Sequence, residues 1–177
     1  MVDIQFQLPF PESYWVLPGL FMAGEYPGGY HELGTRQRLQ ALIRSGVVAC
    51  LDLTHPGDYL RNYSGILKEE AGFYLQEMDY KNYPIVDRSV TSPEQMVKIL
   101  DDIDEYLLQK KPLYVHCIAG IGRTGTVVGC FLVRHGLSAE KALEKIKILR
   151  KGIPSGWARS PQSDEQVDFI KLWKCGQ

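Results

Sequence analysis

The chain has 177 residues, of which 45% are hydrophobic, 11% aromatic and 23% charged, and its formal net charge is -1. That is the length of one domain, taken here as 1–177, with apolar residues enough for one substantial core, and the aromatic content excludes a disordered chain. The near-zero charge excludes a global field that would gather nucleic acid or an anionic membrane surface, so any anion must be recognised by a few placed residues.

The chain begins Met1-Val2-Asp3-Ile4-Gln5, with no basic segment leading into an apolar run. No later stretch approaches the length of a bilayer span, so a soluble, cytoplasmic, monomeric protein is expected. Pro, Gly and aromatic residues crowd the next part, which predicts short strands around Trp15 and over Leu20 to Ala23, separated by turns. From Thr35 to Ser45, Leu39, Leu42 and Ile43 recur at helical spacing and Gly46 supplies a stop. Val47 to Leu53 is a short apolar run bounded by Gly46 and Thr54-His55-Pro56-Gly57, which reads as a buried strand followed by a turn. Tyr59 to Glu70 reads as a helix on Leu60, Ile66 and Leu67, Phe73 to Met78 as a strand, and Tyr80 to Ser92 as the loop after it.

Ser92-Pro93-Glu94-Gln95 combines a cap residue, proline at the first helical position and Gln three after the cap. Met96, Ile99, Leu100, Ile103 and Leu107 then form one apolar stripe through about Lys110. Leu113 to His116 is a short strand that runs into Cys117-Ile118-Ala119-Gly120-Ile121-Gly122-Arg123, and Thr124 to His135 is apolar nearly all round, as in a buried helix ending at Gly136. One further helix opens at Ser138 with Leu143, Ile146 and Leu149. The last opens near Ser163, with Gln166 in capping-box position ahead of Val167, Ile170 and Trp173. Short apolar strands alternating with helices predict an α/β fold, a central and mainly parallel sheet flanked by helices.

A buried strand ending in a glycine-bearing loop that opens a helix is a way to build an anion site, because backbone N–H groups converge there and the helix dipole adds positive charge. The Lys-Ser/Thr ending of the nucleotide-binding loop is absent, and Arg123-Thr124 stands in its place. A thiol at the mouth of such a loop has its anionic form stabilised, so Cys117 is expected to be a thiolate nucleophile. Arg123 can hold two phosphoryl oxygens with its planar fork, and the backbone of Ile118, Ala119, Gly120, Ile121 and Gly122 would supply the remaining donors. The Thr124 hydroxyl is placed to donate to the sulfur, and His116 to orient the loop through backbone groups. Four cysteines, Cys50, Cys117, Cys130 and Cys175, have no paired spacing, which implies a reducing compartment. His31, His55, His116 and His135 form no metal-ligand pattern, so neither metal nor cofactor is expected.

The run from His116 to Thr124 resembles the signature loop of the cysteine-dependent protein tyrosine and dual-specificity phosphatases, and the length resembles their smaller, dual-specificity branch. In that family a preceding loop carries an aspartate that protonates the leaving oxygen. Tyr83-Pro84-Ile85-Val86-Asp87 resembles it, although Val86 stands where proline is frequent; Asp87 is then the general acid and Asp79 the alternative. Ser160-Pro161-Gln162-Ser163-Asp164-Glu165-Gln166 resembles the family's glutamine-bearing loop, in which Gln162 matches the residue that places the hydrolytic water and Gln166 matches a second glutamine or serves as a cap. The resemblance implies a phosphoprotein substrate carrying phosphotyrosine, with phosphoserine or phosphothreonine as further substrates, and a cysteinyl-phosphate intermediate.

Two alternatives stay open on the sequence. A phosphoinositide, inositol phosphate or RNA 5′-phosphate phosphatase would draw on a basic rim from Lys145, Lys147, Arg150, Lys151 and Arg159; a phosphate-binding adaptor would use the loop without turnover. Cys50, on a neighbouring predicted strand, is a candidate to trap oxidised Cys117 as a disulfide.

Overall fold

The computed structural model describes residues 8–177, so the expectation for residues 1–5 lies outside the described residues. Five strands, β1 (Ser13–Leu17), β2 (Phe21–Gly24), β3 (Ala49–Asp52), β4 (Asp79–Asn82) and β5 (Leu113–His116), form one sheet in the order β1-β2-β5-β3-β4. The β1–β2 hairpin is antiparallel and the other three pairings are parallel. The central, mainly parallel sheet flanked by helices is therefore as the sequence predicts.

Why the inner strands read as unbroken apolar runs follows from what covers them. On one face α1 (Glu32–Arg44) and α2 (Ser64–Phe73) bury Leu39, Leu42, Ile43, Tyr63 and Leu67 against Met22, Cys50 and Tyr114 of the sheet. On the other, α3 (Pro93–Leu108) and α4 (Gly122–Arg134) bury Ile99, Leu100, Val127 and Val128 against Phe21, Ala23, Leu51 and Val115. Alternate residues of each inner strand thus enter different cores, each large side chain contributing about 1.5–3 kcal/mol on burial. Helices α5 (Ala139–Leu149) and α6 (Asp164–Leu172) wrap α4, which explains why α4 is apolar nearly all round. Among the described residues no helix is long and apolar enough to cross a membrane.

The cap signals at Ser92, Ser138 and Ser163 all form, each hydroxyl accepting from the backbone N–H three residues on. The middle of the chain departs from expectation. Helix α2 starts at Ser64, not near Tyr59, because Pro56–Asp58 makes a 3-10 turn closed by Tyr59 in the left-handed region at φ 54°, which no helix can pass through. Phe73 ends α2 and is exposed, as is Leu75, so no strand runs from Phe73 to Met78. The strand comes instead at Asp79–Asn82, inside the segment expected to be loop. As the sheet's edge it is paired only to β3 and keeps its Asp-Tyr-Lys-Asn side chains partly in solvent, so it carries no apolar run to read. Helix α1 also opens three residues early, at Glu32.

Candidate active site

Strand β5 carries His116 and then Cys117 to its carboxyl end, the edge of a parallel sheet where ligands are held. The loop from Cys117 to Ile121 turns back into α4 through Gly120, whose φ is +68°. A Cβ there would stand 2.5 Å from the carbonyl carbon of Gly24, so both the backbone angle and the close approach of the β2 end require glycine. The scaffold engages the loop's carbonyls: Tyr26 N–H donates to Ile118 O at 2.8 Å, and the Ser160 hydroxyl donates to Ile121 O at 2.7 Å. Ser160 can come so near because Gly125, in the first turn of α4, lacks a Cβ that would lie 2.3 Å from its oxygen. Among the described residues, no acceptor takes the backbone N–H groups of residues 118–123. They surround the mouth of a helix N-terminus, beside the buried Cys117.

Arg123 is 1% exposed. One terminal nitrogen, Nη1, donates to Asp58 Oδ2 at 2.6 Å and to Ile85 O at 2.9 Å. The other, Nη2, lies 3.1 Å from Asp87 Oδ1 without hydrogen-bond geometry, and Nε has no partner either. One edge of the fork is thus clamped to the protein while two of its nitrogens remain without hydrogen bonds. Asp58 is itself fixed, because its carboxylate accepts from the His55 N–H at 3.0 Å in the 3-10 turn. Sequence reasoning missed Asp58, which follows directly on the expected turn Thr54-His55-Pro56-Gly57; the signal was its place after β3, the parallel neighbour of β5, whose following loop must lie beside the cradle.

Asp87 stands at the cradle's rim with its side chain 57% exposed, held by the buried Ile85 two residues earlier, whose carbonyl bonds Arg123. Asp79, the alternative acid, is eliminated. It pairs with Ala49 at the amino end of the strands, whereas His116 pairs with Asp52 at the carboxyl end, and it accepts from Tyr106 on α3 at 3.0 Å.

His116 is fully buried, with Nε2 2.6 Å from the Tyr63 hydroxyl, Nδ1 3.2 Å from Cys117 O, and Asp52 Oδ1 3.9 Å away. Burial, opposed by the Asp52 carboxylate, pushes its pKa below the usual histidine value, so the ring is neutral. Burial also raises Tyr63 well above the usual phenol range, so its O–H is the donor to Nε2 and the histidine's own proton sits on Nδ1, facing Cys117 O. Tyr63→Phe would leave Nε2 buried without a donor, and urea unfolding should show about 1–3 kcal/mol lost; unchanged stability would mean that this bond does not hold the ring. Because the folded His116 binds its proton less readily than the unfolded one, its contribution is present above about pH 6.5 and is lost as pH falls below that value.

Cys50 does not serve as a disulfide partner. It lies opposite Tyr114, three residues before Cys117 along the ladder, about 10 Å away and beyond the roughly 7 Å that a disulfide spans. Its side chain enters the core under α1 and α2 whereas Cys117 enters the other, and burial pushes its thiol pKa up to about 12.

The remaining expected groups divide. The Thr124 hydroxyl is fully buried without a hydrogen bond, so donation to the sulfur is not made in this conformation. Gln166 is fully buried against Gly122, where a Cβ would stand 3.1 Å from its amide atoms. Its oxygen accepts from the N–H groups of Gln162 and Ser163, and its nitrogen donates to Ser89 O at 3.1 Å. The Gln162 side chain is exposed and engages none of the described residues. One member of the expected basic rim is committed elsewhere: Arg150 is 1% exposed and bonds Ala158 O and Ser155, whereas Arg159 makes only an exposed ion pair with Asp164 at 2.7 Å. Among the described residues no cluster of His, Cys, Asp and Glu is placed to hold a metal ion.

Comparison with known proteins bears on the family and the fold. A family profile described as "Polymorphic toxin system, DSP-PTPase phosphatase" matches residues 28–137. The chain is 29% identical over 106 residues to "Protein tyrosine phosphatase domain-containing protein 1" of Mus musculus, covering 54% of this chain and 13% of that protein. It is 33% identical over 145 residues to "Phosphatidylinositol 3,4,5-trisphosphate 3-phosphatase and protein-tyrosine-phosphatase PTEN1" of Arabidopsis thaliana, covering 77% of this chain and 33% of that protein. The chain thus spans a third or less of the length of these relatives. Among solved structures, Tk-PTP in its active form superposes with a TM-score of 0.74 at 24% identity, covering 93% of this chain and 97% of that one. PTPMT1 in complex with PI(5)P gives 0.66 at 21%, covering 88% and 90%. These two likenesses establish the fold.

Proposed function

The chain belongs to the DSP-PTPase phosphatase family, and we propose that it is a metal-independent phosphomonoester hydrolase of phosphoproteins, acting through a phosphocysteine at Cys117. The observation that carries this reading is the half-clamped Arg123: a buried guanidinium whose Nε and Nη2 make no hydrogen bond, Nη2 facing the Asp87 carboxylate at 3.1 Å, beside unpaired loop N–H groups and a buried thiol. Such an arrangement fits three phosphoryl oxygens and a nucleophile in line with the leaving group.

In the first step the Cys117 sulfur attacks phosphorus, the S–P bond forming as the ester P–O bond breaks, and Asp87 gives its proton to the departing oxygen. In the second, water attacks the same phosphorus, the Asp87 carboxylate takes its proton, and the S–P bond breaks to release phosphate and the thiolate. The buried Thr124 hydroxyl is the donor available to the departing sulfur. Gln162, with its uncommitted amide, is better suited than the capping Gln166 to hold the water. The unpaired cysteines suit a reducing, cytoplasmic setting, and Arg150, buried and bonded to Ala158 O and Ser155, is withdrawn from a basic rim.

Hydrolysis of para-nitrophenyl phosphate in EDTA and reductant, with acid-quench trapping of labelled phosphate on Cys117, tests the reading. No turnover with retained phosphate binding would assign the chain to the adaptors instead. Asp87→Asn should cost about 100-fold on a phosphoserine peptide, the lower end for acid catalysis because the carboxylate is half in solvent, and far less on an activated aryl phosphate. Equal losses on both substrates would remove Asp87 from the acid's role.

A further inference from the structure

Beside the cradle lies a groove of about 440 Å³ whose walls include Tyr26, Tyr30, Tyr59, Leu60, Arg61 and Ile118. Ile118 is the residue after the nucleophile, partly exposed, and belongs to both cradle and groove. The groove is preformed. Its half-buried Tyr26 packs edge-on against Tyr63, its hydroxyl donates to the carbonyl of Arg61, and its N–H holds Ile118 O, so one residue ties both walls to the loop.

Two of the lining side chains do nothing for the core: Tyr30 and Tyr59 are each 94% exposed. Tyr59 is also held at φ 54°, a backbone region that an aromatic residue occupies at a cost on the order of 1 kcal/mol. It follows directly on the 3-10 turn that contains Asp58, so its exposed ring stands beside the cradle without bonding any part of it. The charges are sparse. Glu25 is paired with Arg38 at 2.9 Å, and the Arg61 guanidinium has no ion pair among the described residues. A lining of aromatic and aliphatic groups with so little charge suits an apolar side chain, not a polyanionic headgroup.

We propose that this groove is a specificity subsite for protein substrates, taking a large apolar or aromatic side chain two residues from the phosphorylated one. The inference rests on the phosphatase reading above. In an extended peptide alternate side chains share a face and recur about every 6.6 Å, so when the phosphorylated side chain enters the cradle, the one two positions away lies on the same face, toward the groove that Ile118 lines together with Tyr30 and Tyr59.

The test compares kcat/KM on phosphotyrosine peptides carrying Phe, Leu, Ala or Glu at either position two residues from the phosphotyrosine, alongside para-nitrophenyl phosphate and vesicles containing phosphatidylinositol phosphate. The wild type should prefer Phe or Leu over Ala by about 10-fold at one of the two positions. Tyr30→Ala combined with Tyr59→Asn, asparagine tolerating the left-handed backbone, should flatten that preference and leave para-nitrophenyl phosphate turnover unchanged. A preference surviving in the double variant overturns the proposal. A wild type that turns over para-nitrophenyl phosphate without discriminating among the peptides overturns it too, and leaves the hydrolase standing. Loss confined to the vesicle substrate would make the groove a lipid contact and equally overturn it, and absence of all turnover would remove both this inference and the reading beneath it.

Discussion

Exchange of Cys117 for serine should bring turnover below detection while the cradle goes on holding its anion. The exchange replaces one buried atom by a smaller one and touches no hydrogen-bonding partner of the loop, because Gly120, Tyr26 and Ser160 set its shape. What is lost is the nucleophile: a serine hydroxyl stays protonated at neutral pH, and no general base stands behind it here, His116 being turned to Tyr63 and to the Cys117 carbonyl. What remains is the set of donors. Tungstate or phosphate should therefore raise the melting temperature of the variant as it raises that of the parent, by the equivalent of about 2.7 kcal/mol at one hundred times the dissociation constant. A serine variant that still turns over para-nitrophenyl phosphate would end the phosphocysteine mechanism, and one that no longer responds to the anion would mean that sulfur, not the loop, is the main ligand.

The parts of this site that the sequence makes legible are those that lie close together along the chain. His116 to Thr124 are nine consecutive residues in a strand, a turn and a helix start, and their chemistry follows from local backbone geometry. Strands β2, β3 and β5 are legible because both faces are covered and they are apolar up to the polar residues Asp52 and His116 at the carboxyl ends of β3 and β5. Edge strand β4 is not, since one open side lets polar residues stand there and its pairing is decided by β3 alone. The roles of Asp58 and Tyr63 are created by adjacency in three dimensions. They come 65 and 53 residues before the partners they bond, Arg123 and His116, and only the parallel pairing of β3 with β5 brings their segments together. Gln166 shows a further limit, because one side chain both closes a helix cap and packs on Gly122, and the sequence pattern reports only the cap.

Arg123→Ala combines two losses that a lysine can separate. In the parent, Nη1 holds Asp58 and the Ile85 carbonyl, which leaves Nε and Nη2 for the phosphoryl oxygens. Two preorganised donors at about 3 kcal/mol each correspond to a fall of roughly 10,000-fold in kcat/KM when both are removed. The same substitution strips the counter-ion from Asp58, whose side chain is only 5% exposed, and breaking a buried pair by removing one partner costs about 3–5 kcal/mol of stability. Arg123→Lys can pair with Asp58 as a point charge but cannot grip two oxygens while doing so, and it should fold close to normally yet lose about 100-fold in rate. Adding Asp58→Asn to Arg123→Ala removes the stranded charge and should recover most of the lost stability without recovering any turnover. If that double variant regained activity, the damage in Arg123→Ala would be structural, and the guanidinium would have no part in stabilising the transferring phosphoryl group.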